Sequence, residues 1–421
     1  MGAVIPRRSL GYIGQVVKQI MINAHNGHIR FICDRDRRRR PVDHRTGRAG
    51  RVNRLLRRVV LDVPWAGRPC EVEIEYAEVF LSPGRVRVEA LPLVAPGARV
   101  TRRYARLIAG MARHMPISAV ARHTCLSWDA VKAIECAHLA ETLEAPRPEL
   151  IEGVRYLGVD EVARAKGQTY FTLVYDLTPG DGYGRILWVG EGRDAATLGR
   201  FLEALNADCA NGIEAVAMDM GLAYQAAVRQ GLPQAAIVFD RFHVMQLFGK
   251  VIRDGRRAAF KEAKTLGDLA GQQVIRGSLY LLLSNRDTLR ETDQQRLERL
   301  LEQNQALNTL YALKEQLQRL WQPGTVAAMA ARLEDWCGLA RAAKLPGLAK
   351  FANLLQAHRT GICAWAEHTI TTSRLEAGNV SIGLLRRRAR GFRDTAYFKL
   401  KILQLNTPDR PSFLFGAQRA L

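Results

Sequence analysis

At 421 residues the chain is too long for one ordinary domain and should divide into two to four, each with a core, since 48% of its residues are hydrophobic. A formal net charge of +21 points to a polyanionic partner, nucleic acid before any other, and no apolar run approaches the roughly 20 residues of a membrane span. The seven cysteines (33, 70, 125, 136, 209, 337 and 363) have no paired spacing, and residues 1–8 lack the apolar core of a signal peptide, which fits reduced thiols in a cytoplasmic protein.

Between Arg30 and Arg58 twelve arginines stand against three acids, Asp34, Asp36 and Asp43, and the density peaks at Arg37, Arg38, Arg39 and Arg40. Like charges so crowded repel, so the segment is expected to be an extended arm that a phosphate backbone neutralises; a solvated tail is the plainer alternative. Val72, Ile74 and Tyr76 alternate, as do Val86 and Val88 across Ser82-Pro83-Gly84, which predicts a hairpin in a small β module spanning 1–98 with the arm.

Residues 99–148 read as a helix-turn-helix. A helix begins at Arg102, Pro116 stops it, and Ile117, Ala119, Val120 and Ala121 make a short second helix. Ser127 then caps a third helix with Trp128, Val131 and Ile134 inward. Asp129 and Lys132 would face the major groove, unless the three helices are an ordinary bundle. Pro146-Arg147-Pro148 is a stiff linker.

The stretch 149–243 organises the rest. Val154, Tyr156, Leu157 and Val159 form a short buried strand that delivers Asp160 to the edge of a core. Glu214–Met218 repeats the pattern and delivers Asp219. A carboxylate there costs free energy unless paired or bound to a cation, and hard divalent cations take such oxygen donors. Strands over 169–177 and 185–189 complete an antiparallel meander through turns at Lys166-Gly167 and Pro179–Gly182. A helix capped by Asp194, the Asp219 strand, a helix from Ala223 to Arg229 and a strand over 235–239 follow. The order β-β-β-α-β-α-β is the layout of the RNase H-like fold, an α/β architecture with a mixed sheet whose first and fourth strands are neighbours. That adjacency would bring Asp160 and Asp219 together.

Residues 244–365 are helical throughout. Leu297, Leu300, Leu301, Leu307, Leu310, Leu313, Leu317 and Leu320 recur at mostly three- and four-residue spacings up to Trp321, before Pro323-Gly324. The heptad is not clean, which favours an intramolecular insertion over a coiled coil, and Trp336 and Trp365 read as core residues. In 366–421, Ser373 and Glu376 have capping-box spacing, so Glu376 is either a cap partner or a third acid. A cationic run, Arg386, Arg387, Arg388, Arg390 and Arg393, follows it.

Gly158-Val-Asp160-Glu161, Trp188-Val-Gly-Glu-Gly-Arg193, Ala217-Met-Asp219-Met, Val238-Phe-Asp240-Arg-Phe-His243-Val and Glu376-Ala-Gly-Asn379 occur in one order. Together, over about 55–405, they resemble the ISL-three family of bacterial insertion-sequence DDE transposases. The resemblance implies Asp160, Asp219 and Glu376 as catalytic, metal-binding acids holding two Mg²⁺ (or Mn²⁺) ions, with His243, Asp240 and Asn379 as accessory residues. It implies cleavage and strand transfer of double-stranded DNA, from terminal inverted repeats into target DNA, by a nucleoid-associated homodimer. DNA contacts are expected from Ser127, Trp128, Lys132, the Arg37–Arg40 run and the Arg386–Arg393 run. The family's N-terminal zinc-binding cysteine pairs are degenerate here: Asp36 stands where a partner of Cys33 would fall, and Leu81 and Gly84 stand at the second pair, so no zinc is expected. A nuclease without strand transfer, or a DNA-binding protein that no longer cleaves, would share much of this pattern.

Overall fold

The structure, a computed structural model, describes residues 12–82, 85–143, 151–165, 167, 169–322 and 324–405. The hairpin tip Pro83-Gly84, the linker Pro146–Pro148, Lys166 and Pro323 lie outside the described residues. The chain forms two compact units, one up to residue 143 and one from 151 to 405.

In the first unit, β1 (Gln15–Ile22), β2 (Ile29–Arg35), β3 (Arg51–Trp65), β4 (Arg68–Ser82) and β5 (Arg85–Val88) form a mixed sheet ordered β1-β2-β4-β3, with β5 antiparallel on β4 as the hairpin signal predicted. The sequence expectation of an extended basic arm is corrected: β2 and β3 are strands, and Arg37–Arg40 is the turn that follows β2. Most of the missing anions come from later in the chain, and Asp34 supplies another from within the stretch. Arg35 donates to Glu89 at 2.9 Å, Arg30 to Glu71 at 2.9 Å, and Arg57 reaches Asp34, Glu73 and Glu75. Burial pushes the Cys33 and Cys70 thiols up to about 12, so both serve as small apolar core residues beside Phe31, Val72 and Ile74.

Helices α1 (Arg102–His114), α2 (Ile117–Thr124) and α3 (Trp128–Leu143) pack around Ile108, Val120 and Val131. Cys125 turns the chain in the left-handed region (φ 54°), and Ser127 Oγ accepts the Ala130 N–H at 3.1 Å as the cap of α3. Trp128 is a second correction: it points outward, 48% exposed, with the Lys132 ammonium 5.8 Å from its ring. Position 128 opens the first turn of α3, and Val131, three residues on, faces the core instead.

One buried carboxylate welds the sheet to these helices. Asp62, on β3, accepts from Tyr12 Oη (2.8 Å), Thr101 Oγ1 (2.6 Å) and Arg103 Nε (2.7 Å). Thr101 is also the N-cap of α1. Burial alone would raise the Asp62 carboxyl, but the bonds from Arg103, Thr101 and Tyr12 outweigh it and hold it below the usual aspartate range.

The second unit is built on a sheet ordered β10-β9-β6-β7-β8, with β6 (Tyr156–Ala165), β7 (Thr169–Asp176), β8 (Ile186–Glu191), β9 (Ala215–Met218) and β10 (Ala236–Phe239). The first three are antiparallel; β9 is parallel to both β6 and β10, so the first and fourth strands are neighbours. Helices α4 (Ala195–Glu203), capped by Asp194, α5 (Ala207–Gly212) and α6 (Leu222–Gly231) connect the strands.

Both faces of the sheet are covered. Leu157, Val159, Val174 and Val216 face a core shared with α4, α6 and the helices α7 (Arg241–Thr265) to α15 (Trp365–His368). Leu173, Tyr175, Ala217 and Val238 face α16 (Ser373–Arg388) and α17 (Thr395–Gln404). The leucine-rich stretch is two helices, not one: Asn304 ends α10 (Glu291–Gln303) and caps α11 (Gln305–Arg319) by accepting the Leu307 N–H at 2.9 Å. Leu297, Leu300, Leu307, Leu310, Leu313, Leu317, Leu320 and Trp321 are all buried in the same core, as is Trp336, with Trp365 half-buried against it. That overturns the coiled-coil alternative, because these leucines already have intramolecular partners.

Asp62→Asn should destabilise the first unit of the full chain by roughly 2–3 kcal/mol at neutral pH, since it leaves Arg103 without its counter-charge. The folded value of Asp62 lies below the unfolded one, so its contribution is present above the ordinary aspartate range and is lost as the pH falls through the folded value. The stability of the first unit to denaturant at pH 2 and pH 7, followed through the β3 and α1 amides, should therefore differ less in the variant than in the parent. An equal difference in the two would show that Asp62 plays no such part.

Candidate active site

Asp160 lies partway along β6, half-buried, with the strand continuing past it. Its Oδ1 accepts the Glu161 N–H at 2.7 Å, and its Oδ2 accepts from Asn379 Nδ2 at 2.7 Å, a bond that spans 219 residues. Asp219 follows the last residue of β9, and its Oδ1 accepts the Gly221 N–H at 2.9 Å. Asp240 follows β10 and caps α7: Oδ1 accepts the Phe242 N–H at 2.9 Å, and Oδ2 lies 2.9 Å from His243 Nδ1. Asp160 therefore sits at the middle of β6, a correction to the strand-end position expected from the sequence, while Asp219 and Asp240 each stand directly after the carboxyl end of a strand.

Helix α16 brings Glu376 and Asn379, three residues apart and so on neighbouring positions of one face. Its approach is set by two glycines. A Cβ on Gly158 would meet Leu177 at 2.8 Å and Leu375 at 3.0 Å, and one on Gly378 would meet the Tyr175 hydroxyl at 2.6 Å. The capping box expected from Ser373 is corrected. The N-cap is Thr372, Ser373 is the first helical residue, and no side chain caps this helix. The Thr372 hydroxyl instead donates to Asp240 Oδ1.

The acids and His243 share one electrostatic environment. Burial pushes the Asp160 carboxyl up and Asp240 adds to it, while the Glu161 N–H, His243 and Asn379 oppose. Glu376 is raised by burial and then by Asp240 and Asp160, with His243 opposing. His243 is held above its ordinary value by its bond to Asp240, against burial, with help from Asp160 and Asp219. Glu161 is raised by burial and by Asp219 and Asp160, and is relieved by Arg193 and His243.

Two buried polar atoms near Asp160 have no hydrogen-bond partner among the described residues: Asn379 Oδ1 and the Tyr175 hydroxyl. Carboxylates at strand ends with orphaned oxygens beside them fit a hard divalent cation in donor chemistry. As placed, however, no three His, Cys, Asp or Glu side chains among the described residues are grouped closely enough to hold one ion. The acids gather around the His243 imidazole, and Asp160 and Asp219 spend oxygens on local N–H groups.

Three participants escaped the sequence reading. Glu161 was hidden by strand alternation, which assigns it to the opposite face from Asp160. Thr372 was obscured by the Thr371-Thr372-Ser373 run, in which any of the three is a plausible cap. Tyr175 read only as a strand residue. Of the basic run, Arg386 donates to the Ala163 carbonyl at 2.8 Å; Arg387 and Arg388 end α16 exposed, and Arg390 and Arg393 lie beyond it, also exposed. In the first unit, Arg35, Arg37, Arg38, Arg39 and Arg40 line a cavity of about 360 Å³ with Val52 and Leu55.

Residues 157–402 match a family described as "Transposase", and residues 89–135 match the "Helix-turn-helix domain of transposase family ISL3". The chain is 36% identical to the transposase of insertion sequence element IS1001 of Bordetella parapertussis, over 82% of this chain and 80% of that one. It is 27% identical to the transposase of IS1557 of Mycobacterium tuberculosis, over 75% of this chain and 76% of the relative. With both units matched and the strand-end acids inside the larger match, the chain belongs to the ISL3 family of DDE-type insertion-sequence transposases.

Proposed function

We propose that Asp160, Asp219 and Glu376 are the catalytic acids of this transposase, in an RNase H-like sheet, and that they hold a pair of Mg²⁺ or Mn²⁺ ions. The observation that carries this reading is the bond from Asn379 to Asp160, which ties the helix of Glu376 to the strand of Asp160 across 219 residues. Membership of the family implies a divalent metal. A cation there would supply Lewis-acid stabilisation of the charge that develops on the phosphate and its leaving oxygen. The reaction class is in-line displacement at phosphorus. Water attacks a phosphodiester and the bond to the 3′ oxygen breaks, leaving a 3′-hydroxyl at the element end. That hydroxyl attacks a target phosphodiester in turn, its oxygen joining the phosphorus as the bond to the target's 3′ oxygen breaks and leaves a target 3′-hydroxyl, so no protein nucleophile is needed.

The chain's own residues prepare this chemistry. Asn379 holds one oxygen of Asp160 in place, and the Glu161 and Gly221 N–H groups orient Asp160 and Asp219. His243, fixed at Nδ1 by Asp240, offsets the repulsion among the acids. Side-chain rotation would release the Asp160 and Asp219 oxygens from these N–H groups and turn them toward a shared ion. Arg387, Arg388, Arg390 and Arg393, exposed at and after the end of the same helix, are suited to a phosphate backbone.

The helix-turn-helix reads the element ends, with Trp128 exposed at the start of α3, the half-buried Lys132 one turn on with its ammonium 5.8 Å from the Trp128 ring, and Ser127 capping the helix. The arginine-lined cavity after β2 adds backbone contact. The protein acts as a homodimer on terminal repeats and target DNA, in the bacterial cytoplasm at the nucleoid. No described helix is long and apolar enough to cross a membrane.

Asp160→Asn, Asp219→Asn and Glu376→Gln should each lower cleavage of a terminal-repeat substrate by roughly 10²-fold or more while gel-shift affinity is kept. Cleavage in Mg²⁺ near the parent rate by any one of them removes that residue from the site. Lys132→Ala should weaken binding to all sequences and reduce the slope of log affinity against log salt by about one charge, whereas Trp128→Ala should weaken the terminal repeat more than random DNA. Equal losses on both DNAs for Trp128→Ala would assign that residue to non-specific contact. Gly378→Ala, which drives a methyl into Tyr175, should cost roughly 1–3 kcal/mol of packing and lower cleavage more than DNA binding. Wild-type cleavage in that variant would show that close approach of α16 is dispensable.

A further inference from the structure

Asp240 accepts from three directions, and each bond goes to a different part of the site. The Phe242 N–H fixes the start of α7, His243 Nδ1 fixes the imidazole, and the Thr372 hydroxyl comes from the start of α16, 132 residues away. Asp240 and Thr372 are both buried, at 6% and 8% exposure. Thr372 occupies the N-cap of α16, where a threonine ordinarily bonds an orphan N–H of its own helix, yet it makes no cap bond. The helix forgoes that local stabilisation, and the hydroxyl is spent on a tether to the strand-end aspartate.

We propose that Asp240 is a positioning residue and Thr372 its latch: the Thr372–Asp240 hydrogen bond fixes the first turn of α16, and so the placement of Glu376 four residues later, relative to His243 and the end of β10. The two anchors of α16 lie at different levels of the helix, Thr372 on Asp240 and Asn379 on Asp160, and Glu376 is between them. A helix held at two points two turns apart cannot pivot about either one. The functional consequence rests on the reading of Glu376 as the third acid; the tether itself does not.

The test compares Thr372→Val, Thr372→Ser and Glu376→Gln in the full chain. Without metal or DNA, Thr372→Val should raise amide exchange of residues 373–379 by about tenfold, and Thr372→Ser should restore it. With a terminal-repeat substrate in Mg²⁺, Thr372→Val should lower the cleavage rate by about tenfold at unchanged DNA affinity, again restored by serine. Parent-like exchange and cleavage in Thr372→Val, with Glu376→Gln inactive, overturns the latch and leaves the third acid standing. Active Glu376→Gln with faster exchange in Thr372→Val overturns the third acid and leaves the tether. If the valine variant does not fold, the comparison moves to the other end of the bond. Asp240→Ala should free the first turn of α16, whereas Asp240→Asn, which keeps an acceptor for Thr372, should not; equal exchange in the two would sink the proposal.

Discussion

Carboxylates at the edge of one sheet repel each other, and this constraint shapes the second unit. Asp160, Asp219, Asp240, Glu161 and Glu376 all act on, or are acted on by, a single imidazole, that of His243. Burial removes the water that would screen them, so Asp160, Glu161 and Glu376 are all raised. The fold tolerates the arrangement because each acid is attached to something rigid: Asp160 to a central strand, Asp219 and Asp240 to the ends of parallel strands, Glu376 to a packed helix. Titratable groups shifted by burial and by one another, gathered at one place, mark a candidate functional site.

The first unit handles charge in the opposite way. Its basic residues outnumber acids locally, but β4 carries Glu71, Glu73, Glu75 and Glu78 alongside the arginines of β2 and β3, so much of the positive charge is neutralised within the sheet. Arg37, Arg39 and Arg40, in the turn after β2, remain exposed. Asp62 makes the β module and the helix-turn-helix one body, because its three donors come from Tyr12, Thr101 and Arg103 and so from both. The arginine turn and the first turn of α3 are thereby carried by one unit of the chain.

What could be read from the sequence followed from local rules. The strands that deliver Asp160, Asp219 and Asp240 were legible because short apolar runs between turn signals have few other interpretations. The helix-turn-helix was legible because Pro116 and Ser127 punctuate it. What failed was set by partners remote in the chain. The arginine-rich stretch looked like an arm because its neutralising glutamates lie on a strand some forty residues later. Trp128 was assigned inward together with Val131 and Ile134, three residues apart, but at the start of α3 it lies outside the core that buries Val131 and partly buries Ile134. Thr372 was invisible because nothing nearby predicts that a cap residue will turn away from its own helix toward residue 240.

The same contrast explains how Glu376 can reach the strand-borne acids from so far along the chain. Helices α7 to α15 separate Asp240 from α16, and a loop of that length without structure would carry a large closure entropy. Here the intervening residues form part of the core on one face of the sheet, so the detour is itself folded. The chain then changes faces. Gly361 in α14 (Arg359–Cys363) lies so close to β10 that a Cβ there would meet Phe239 at 2.4 Å and the Ile237 carbonyl at 3.1 Å, and beyond it α16 packs on the opposite core with Tyr175 and Val238. The crossover therefore runs past the edge strand whose end carries Asp240. A helix that has just passed that edge begins next to Asp240, which is why Thr372 finds this carboxylate and why Glu376, one turn further on, faces the acids of the sheet. The position of Glu376 follows from where the run of helices α7 to α15 ends.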